Sequence, residues 1–288
     1  MARVALVGPG AIGSVCAAAV EQTGRHELTL YGRRDPGPLS VEDERTGKVH
    51  PITAPLLTEA REGHADWVLL AVKAHQTEGA ADHLRALCGP RTTVVVLQNG
   101  VEHRERVAPF TGAARIVPAI AWIEAETVAP GRTLLRAKSR VKVPAGEEFA
   151  DLMRGGLVTV EDADDFVTEV WRKLTSNAVA GLMALAGRRA SIYHGDDLQA
   201  LARDLAAECL TVARAEGARL PDGVADEIVA MYLAMPQDSG SSILFDRLAG
   251  RPLEWDARNG VVRRRGRALG VPTPISDVLV PLLAAASG

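Results

Sequence analysis

Cysteine is scarce in this 288-residue chain: three residues, Cys16, Cys88 and Cys209, far apart and with no CxxC pair. That excludes a disulfide framework and a zinc ribbon, and it fits a reducing, cytoplasmic setting. The seven histidines show neither HExxH nor HxxxH spacing, so no metal site is expected. An excess of positive charge is missing too. The net charge of −3 and the absence of a polybasic run argue against a nucleic-acid partner and an anionic membrane surface. No apolar run approaches the roughly 20 residues a bilayer requires. The N-terminus lacks the charged-then-apolar form of a signal peptide. Lysine is rare as well: 28 of the 33 basic residues are arginine, which makes each lysine informative.

What is present is the composition of a soluble globular protein, 47% apolar and 24% charged. The length suits two domains, expected at 1–160 and 161–288. Up to about residue 145, short β-branched runs alternate with amphipathic stretches. Strands are expected at Ala2–Val7, Glu27–Tyr31, Trp67–Val72 and Thr92–Leu97, with a helix over Ala11–Gln22. Alternation of this kind builds right-handed βαβ units and a parallel, Rossmann-type sheet. Shorter strands at Ile116–Ile120, Thr133–Arg136 and Val141–Val143 are expected to complete that sheet. From about Asp164 onward the strand signals fade. Helices are predicted over Phe166–Leu185, Leu198–Ala215, Asp222–Met235, Ser239–Leu248, Leu253–Ala268 and Ile275–Ala286, punctuated by proline and glycine. The fold class is therefore α/β: a parallel-sheet domain followed by an all-α domain.

The first strand ends in Gly8-Pro9-Gly10-Ala11-Ile12-Gly13, a GxGxxG between a strand and a helix. Gly8 would make the tight turn, Gly10 would leave room for a pyrophosphate, and Gly13 would let helix and strand approach. The helix N-terminus would offer its N–H groups and positive dipole end to phosphate. An NAD site usually places an Asp or Glu after the second strand, to accept from the ribose hydroxyls. Here the chain reads Tyr31-Gly32-Arg33-Arg34, and guanidinium groups suit the additional phosphate of NADP(H). Both arginines also read as solvated loop charges. Lys73 follows the third strand, at the edge where such sheets bind ligands.

In the second half, Lys173 and Asn177 are four residues apart on one helical face, which continues to Gly181. A cation and a carboxamide on one face suit a substrate with a carbonyl and a carboxylate; the same pair also commonly faces water. The hydroxyl-rich Asp238–Ser242 stretch suits a helix cap or an anion, and Glu254 opens the following helix. Asn99, in Leu97-Gln98-Asn99-Gly100, sits after the fourth strand, where an ordinary turn is the alternative.

Together these segments resemble the ketopantoate reductase family. The resemblance rests on the glycine motif, on Val72-Lys73-Ala74-His75-Gln76-Thr77, on Leu97-Gln98-Asn99-Gly100-Val101-Glu102, on Lys173-Leu174-Thr175-Ser176-Asn177, and on Ser241-Ser242 followed by Glu254. It implies NADPH-dependent reduction of a small 2-keto acid, 2-dehydropantoate foremost. Gly8, Gly10, Ala11, Ile12 and Gly13 would hold the pyrophosphate, Arg33 or Arg34 with Lys73 the 2′-phosphate, and Gln76 and Asn99 would also face the cofactor. Lys173 would be the general acid, with Glu254 beside it, and Asn99, Asn177 and Ser242 would grip the substrate. A homodimer is implied as well. One departure stands out: the family's helix commonly carries a second asparagine where this chain has Gly181, which removes a donor and would enlarge the pocket. A related keto acid, an opine- or imine-type substrate, and a non-catalytic NADPH sensor are the competing readings.

Overall fold

The computed structural model describes residues 1–287. The chain forms two compact units, one of residues 1–98 with 103–166, the other of residues 99–102 with the chain from Val167 onward. In order, the first contains β1 (Arg3–Val7), α1 (Ala11–Gln22), β2 (Glu27–Tyr31), β3 (Leu39–Asp43), β4 (Lys48–Ile52), β5 (Leu56–Leu57), β6 (Trp67–Leu70), α2 (Ala81–Leu87), β7 (Thr93–Val96), α3 (His103–Thr111), β8 (Arg115–Pro118), β9 (Ile120–Trp122), β10 (Ala125–Ala129), β11 (Arg132–Leu135), β12 (Ser139–Pro144), α4 (Ala150–Met153) and β13 (Val158–Ala163).

Six strands form a parallel sheet in the order β5-β2-β1-β6-β7-β8. Its strands read as near-continuous apolar runs because both faces are covered. Val4 and Leu6 of β1 enter one core cluster, Ala5 and Val7 the other. Helix α1 lies on the first face, where Val15 to Val20 are all buried; its alanines keep it close to the strands. From β1 the chain goes outward to β2 on one side, and later resumes at β6 on the other. This reversal of direction opens the crevice in which doubly wound sheets bind ligands, beyond the carboxyl ends of the strands.

The stretch from 113 to 144 departs from expectation. Only Arg115–Pro118 joins the parallel sheet, as its edge strand. Thr133–Leu135 lies in β11, within a separate four-stranded sheet ordered β10-β11-β3-β4, and Val141–Val143 lies in β12 of a third sheet ordered β13-β12-β9. These two sheets cover α1 from outside and extend its core through Leu39, Val41, Leu135, Val141 and Phe149. They were hidden because β3, β4 and β13 are half-exposed strands with few apolar residues: β3 turns Leu39, Val41 and the charged Asp43 to its buried side, and β4 buries only Ile52.

The second unit is helical: α5 (Phe166–Ala186), α6 (Asp196–Ala215), α7 (Val224–Ala234), α8 (Ser242–Leu248), α9 (Val261–Leu269) and α10 (Pro274–Ala286). Two expected helices differ. The one expected from Ser239 starts at Ser242, with Ser241 as its cap, its Oγ accepting from the Leu244 N–H at 3.4 Å. The one expected over Leu253–Ala268 opens instead with a π-helical turn, Asp256–Gly260, that runs into α9. That turn breaks the 3.6-residue period, so Ala257 to Val262 are buried consecutively. Such turns occur mostly at functional sites. No described helix is long and apolar enough to cross a membrane.

Candidate functional site

In the first unit the predicted nucleotide residues converge on one sheet edge. Val7 lies opposite Tyr31 on one side and Leu70 on the other, so the chains leaving β1, β2 and β6 emerge together. The three glycines of the turn have three separate reasons. Gly8 has φ +95° and sits against the chain after β6, where a Cβ would come 2.7 Å from the Val72 nitrogen. Gly13 is pressed on the turn itself, where a Cβ would come 2.1 Å from the Gly8 carbonyl oxygen. Gly10 has an ordinary φ of −79°, and a Cβ there would meet nothing within 4 Å. No contact among the described residues requires glycine at that position.

Helix α1 begins at this point. The Ser14 N–H makes its first internal bond, to the Gly10 carbonyl at 2.8 Å, so the N–H groups of Ala11, Ile12 and Gly13 precede the ladder. The first turn carries no acidic residue and no side-chain cap. A positive dipole end without its usual protein partner fits a phosphate. After β2, Arg33 and Arg34 are both exposed and make no ion pair among the described residues. Lys73 opens a short 3-10 turn, Ala74–Gln76, at the end of β6. Gln98, buried after β7, fixes this segment: its Nε2 donates to the Val72 carbonyl at 3.1 Å and to Thr77 Oγ1 at 2.8 Å. Gln76 is partly buried on the same turn. The open cradle, the uncapped helix and the cationic loop fit a dinucleotide.

The second unit gathers the other predicted residues. Lys173, Asn177 and Gly181 follow one another on one face of α5, whose other faces are packed with Trp171, Leu174, Val179 and Leu182. Asn177 Nδ2 donates to Asn99 Oδ1 at 3.3 Å, and Asn99 Nδ2 donates to Glu254 Oε2 at 3.1 Å. Two carboxamides and a carboxylate thus form one hydrogen-bonded line. Residues 99–102 are pinned by Arg264, which donates to Glu102 at 2.6 and 3.0 Å and to Asp256 at 2.9 Å.

Lys173 is partly buried beside Glu254, which is 6% exposed. Burial lowers its pKa most, the Arg258 guanidinium lowers it further, and Glu254 pulls the other way; the result falls from the ordinary 10.5 to about 7. An ammonium poised at that value gives up its proton readily at neutral pH.

Ser242 is exposed at the start of α8, and its Oγ accepts from Arg258 Nη2 at 2.8 Å. Arg258 and Asn259 were not anticipated from the sequence. Arg258 stands four residues after Glu254, and in an arginine-rich chain that spacing reads as a solvent-facing helix pair. It is instead 2% exposed, inside the π turn. Asn259 is wholly buried and corrects the expectation at Gly181. The space beside that glycine is not enlarged: a Cβ on Gly181 would come 2.9 Å from Asn259 Oδ1. Asn259 Nδ2 donates to the Ala178 carbonyl at 3.0 Å, tying the turn to α5.

The family model described as "Ketopantoate reductase PanE/ApbA" matches residues 4–148, and its C-terminal companion matches residues 165–287. A 2-dehydropantoate 2-reductase of Mycobacterium tuberculosis is 49% identical, over 99% of this chain and 97% of its own. One from Caulobacter vibrioides is 41% identical over the full length of both. A solved structure of a dimeric ketopantoate reductase from Staphylococcus aureus superimposes with a TM-score of 0.89, at 25% identity, covering 99% of this chain and 98% of that one.

Proposed function

The chain belongs to the ketopantoate reductase family, and on that premise we propose how its residues carry out the reduction of a 2-keto acid to the 2-hydroxy acid, with 2-dehydropantoate as the preferred substrate. The first unit holds the cofactor and the second holds the substrate and the acid. The cofactor is a nicotinamide dinucleotide, and the residues favour NADPH, since the end of β2 offers Arg33 and Arg34 where an NAD site offers a carboxylate. Gly8, Gly10 and the N–H groups of Ala11, Ile12 and Gly13 take its pyrophosphate; Arg33, Arg34 and Lys73 take the 2′-phosphate, with Gln76 on the same turn. When bound, it supplies the hydride to the carbonyl carbon.

Lys173 donates a proton to the carbonyl oxygen as negative charge grows there, and its positive charge stabilises that oxygen beforehand. Glu254 balances the ammonium and fixes Asn99. Asn99 and Asn177 orient the substrate through their carboxamides, and Ser242 anchors its carboxylate. The enzyme works as a homodimer, as the Staphylococcus aureus protein is described.

The single observation carrying this reading is Lys173, partly buried in the field of Glu254 and Arg258 on the α5 face that also carries Asn177 of the Asn177–Asn99–Glu254 line. Steady-state kinetics with 2-dehydropantoate and several other 2-keto acids, with NADPH and NADH in parallel, tests it. Lys173→Ala should lower kcat by about 10²–10⁴-fold while NADPH binding survives. Near-normal turnover in that variant would remove Lys173 from the chemistry.

A further inference from the structure

Lys173 and Arg258 are two cations in the field of the Glu254 carboxylate. The Arg258–Glu254 approach is 3.7 Å, longer than a hydrogen bond, and Glu254 Oε2 already accepts from Asn99. Arg258 itself is 2% exposed, yet its Nε is buried with no hydrogen-bond partner among the described residues. Its Nη2 has one neutral partner, Ser242 Oγ, at 2.8 Å. Ser242 is not occupied with capping, because Ser241 caps α8. Removing a guanidinium from water with neither full pairing nor a full hydrogen-bond set is costly unless an anion completes the site.

Building on the keto-acid reading above, we propose that Arg258 is the carboxylate-binding residue, taking the substrate carboxylate on its guanidinium fork with Ser242 as the second anchor. The chemistry of the ligand matches. In a 2-keto acid the carboxylate and the carbonyl are bonded neighbours, so a site for one must adjoin a site for the other. Arg258 and Lys173 are adjacent cations of the two kinds required. A planar guanidinium reads a carboxylate bidentately, and an ammonium can release a proton to a carbonyl oxygen. The arriving carboxylate also adds a negative charge beside Lys173, which favours its protonated form at the moment it must act as an acid. The charged and titratable neighbours that enter this balance are Glu254 and Arg258 from the π-turn segment, and Tyr232 of α7, which lies in the field of Arg258 and donates to the Ser176 carbonyl.

The test compares Arg258→Met and Arg258→Lys with the unaltered enzyme, using a 2-keto acid and its neutral amide. With Arg258→Met the KM for the acid should rise about 10²–10³-fold, the usual cost of deleting one partner of a buried charge pair, and the amide should be unaffected. The fall of kcat/KM at high pH should move to higher pH, since a cation that holds Lys173 down is gone. Arg258→Lys keeps charge without the fork, so it should give an intermediate KM for the acid. It also serves if the methionine variant does not fold. Calorimetric titration with the 2-hydroxy acid and its amide reads the same contact without turnover. An acid KM unchanged in a folded variant, or an equal loss for acid and amide, overturns the assignment. If the unaltered enzyme reduces no keto acid but its affinity for the hydroxy acid still depends on Arg258, the carboxylate site stands and the reductase reading falls.

Discussion

A methyl group placed on each of two glycines in the phosphate turn should separate cofactor binding from folding. Gly10→Ala adds a Cβ that meets nothing in the protein within 4 Å, on a backbone with φ −79° that alanine adopts without strain. Folding stability should therefore hold or rise by about 0.4–1 kcal/mol, because alanine narrows the unfolded ensemble. The same methyl fills the space through which a pyrophosphate reaches the N–H groups at the start of α1. Hydrogen bonds to a charged group are worth about 1.5–3 kcal/mol each. Losing one or two raises the NADPH Kd by about 10–10⁴-fold, at 1.4 kcal/mol per tenfold. Gly13→Ala does the opposite: its Cβ would lie 2.1 Å from the Gly8 carbonyl oxygen, a backbone atom that cannot swing aside. Overpacking of this kind costs about 1–3 kcal/mol or more. Thermal melts without ligand, paired with fluorescence titration by NADPH, separate the two effects. A Gly10→Ala protein with unaltered NADPH affinity, or one that melts early like Gly13→Ala, would refute the idea that the open space at Gly10 is a ligand's.

Further outcomes follow from the same geometry. The acid form of Lys173 is present below its pKa of about 7 and is lost above it, so kcat/KM for reduction should be level on the acid side and fall about tenfold per pH unit on the alkaline side; a level profile to pH 9 would contradict this. Replacing Arg33 and Arg34 together with serine should weaken NADPH by about 10–10²-fold and leave NADH nearly untouched; an unchanged NADPH-to-NADH affinity ratio would show that neither guanidinium holds the 2′-phosphate. Gly181→Ala pushes a methyl to 2.9 Å from the Asn259 carboxamide, which is wholly buried and tied to Ala178, so the melting temperature should drop in line with a loss of about 1–3 kcal/mol; an unaltered melt would mean that Asn259 can move aside.

Most of the parallel sheet was legible because β1, β2, β6, β7 and β8 are short apolar runs, and a chain buried on both faces announces itself by hydrophobicity alone; β5, two half-buried leucines at the edge, was not anticipated. The two smaller sheets were not. Lys48–Ile52 exposes most of its residues, and β11 pairs with β3, some ninety residues earlier, in a register no local pattern encodes. The long helix α5 was readable from its period, and the boundary of α8 was missed by three residues because Ser239, Ser241 and Ser242 are all competent caps. In the turn after β1 the sequence already separated the three glycines by role; the structure adds the contacts, backbone atoms against Gly8 and Gly13 and nothing within 4 Å of Gly10.

The substrate half divides differently. Lys173, Asn177, Asn99 and Glu254 were singled out by residue type and spacing and given roles by the family resemblance, but the surroundings that lower the Lys173 pKa were not legible. Its proton affinity is set by burial and by a cation and an anion four residues apart in the chain, Arg258 and Glu254. In a regular surface helix such a pair would face solvent and be worth a few tenths of a kcal/mol. The π turn changes that, because it buries Arg258 and Asn259 side by side, with Asn259 seated over Gly181 and Arg258 reaching Ser242. The glycine on α5 is therefore the complement of the turn: a side chain at 181 would displace Asn259, and with it the backbone that aims Arg258. If so, variants at 181 should perturb the alkaline limb of the pH profile through Arg258 as well as stability, whereas a merely structural glycine would change the melt alone.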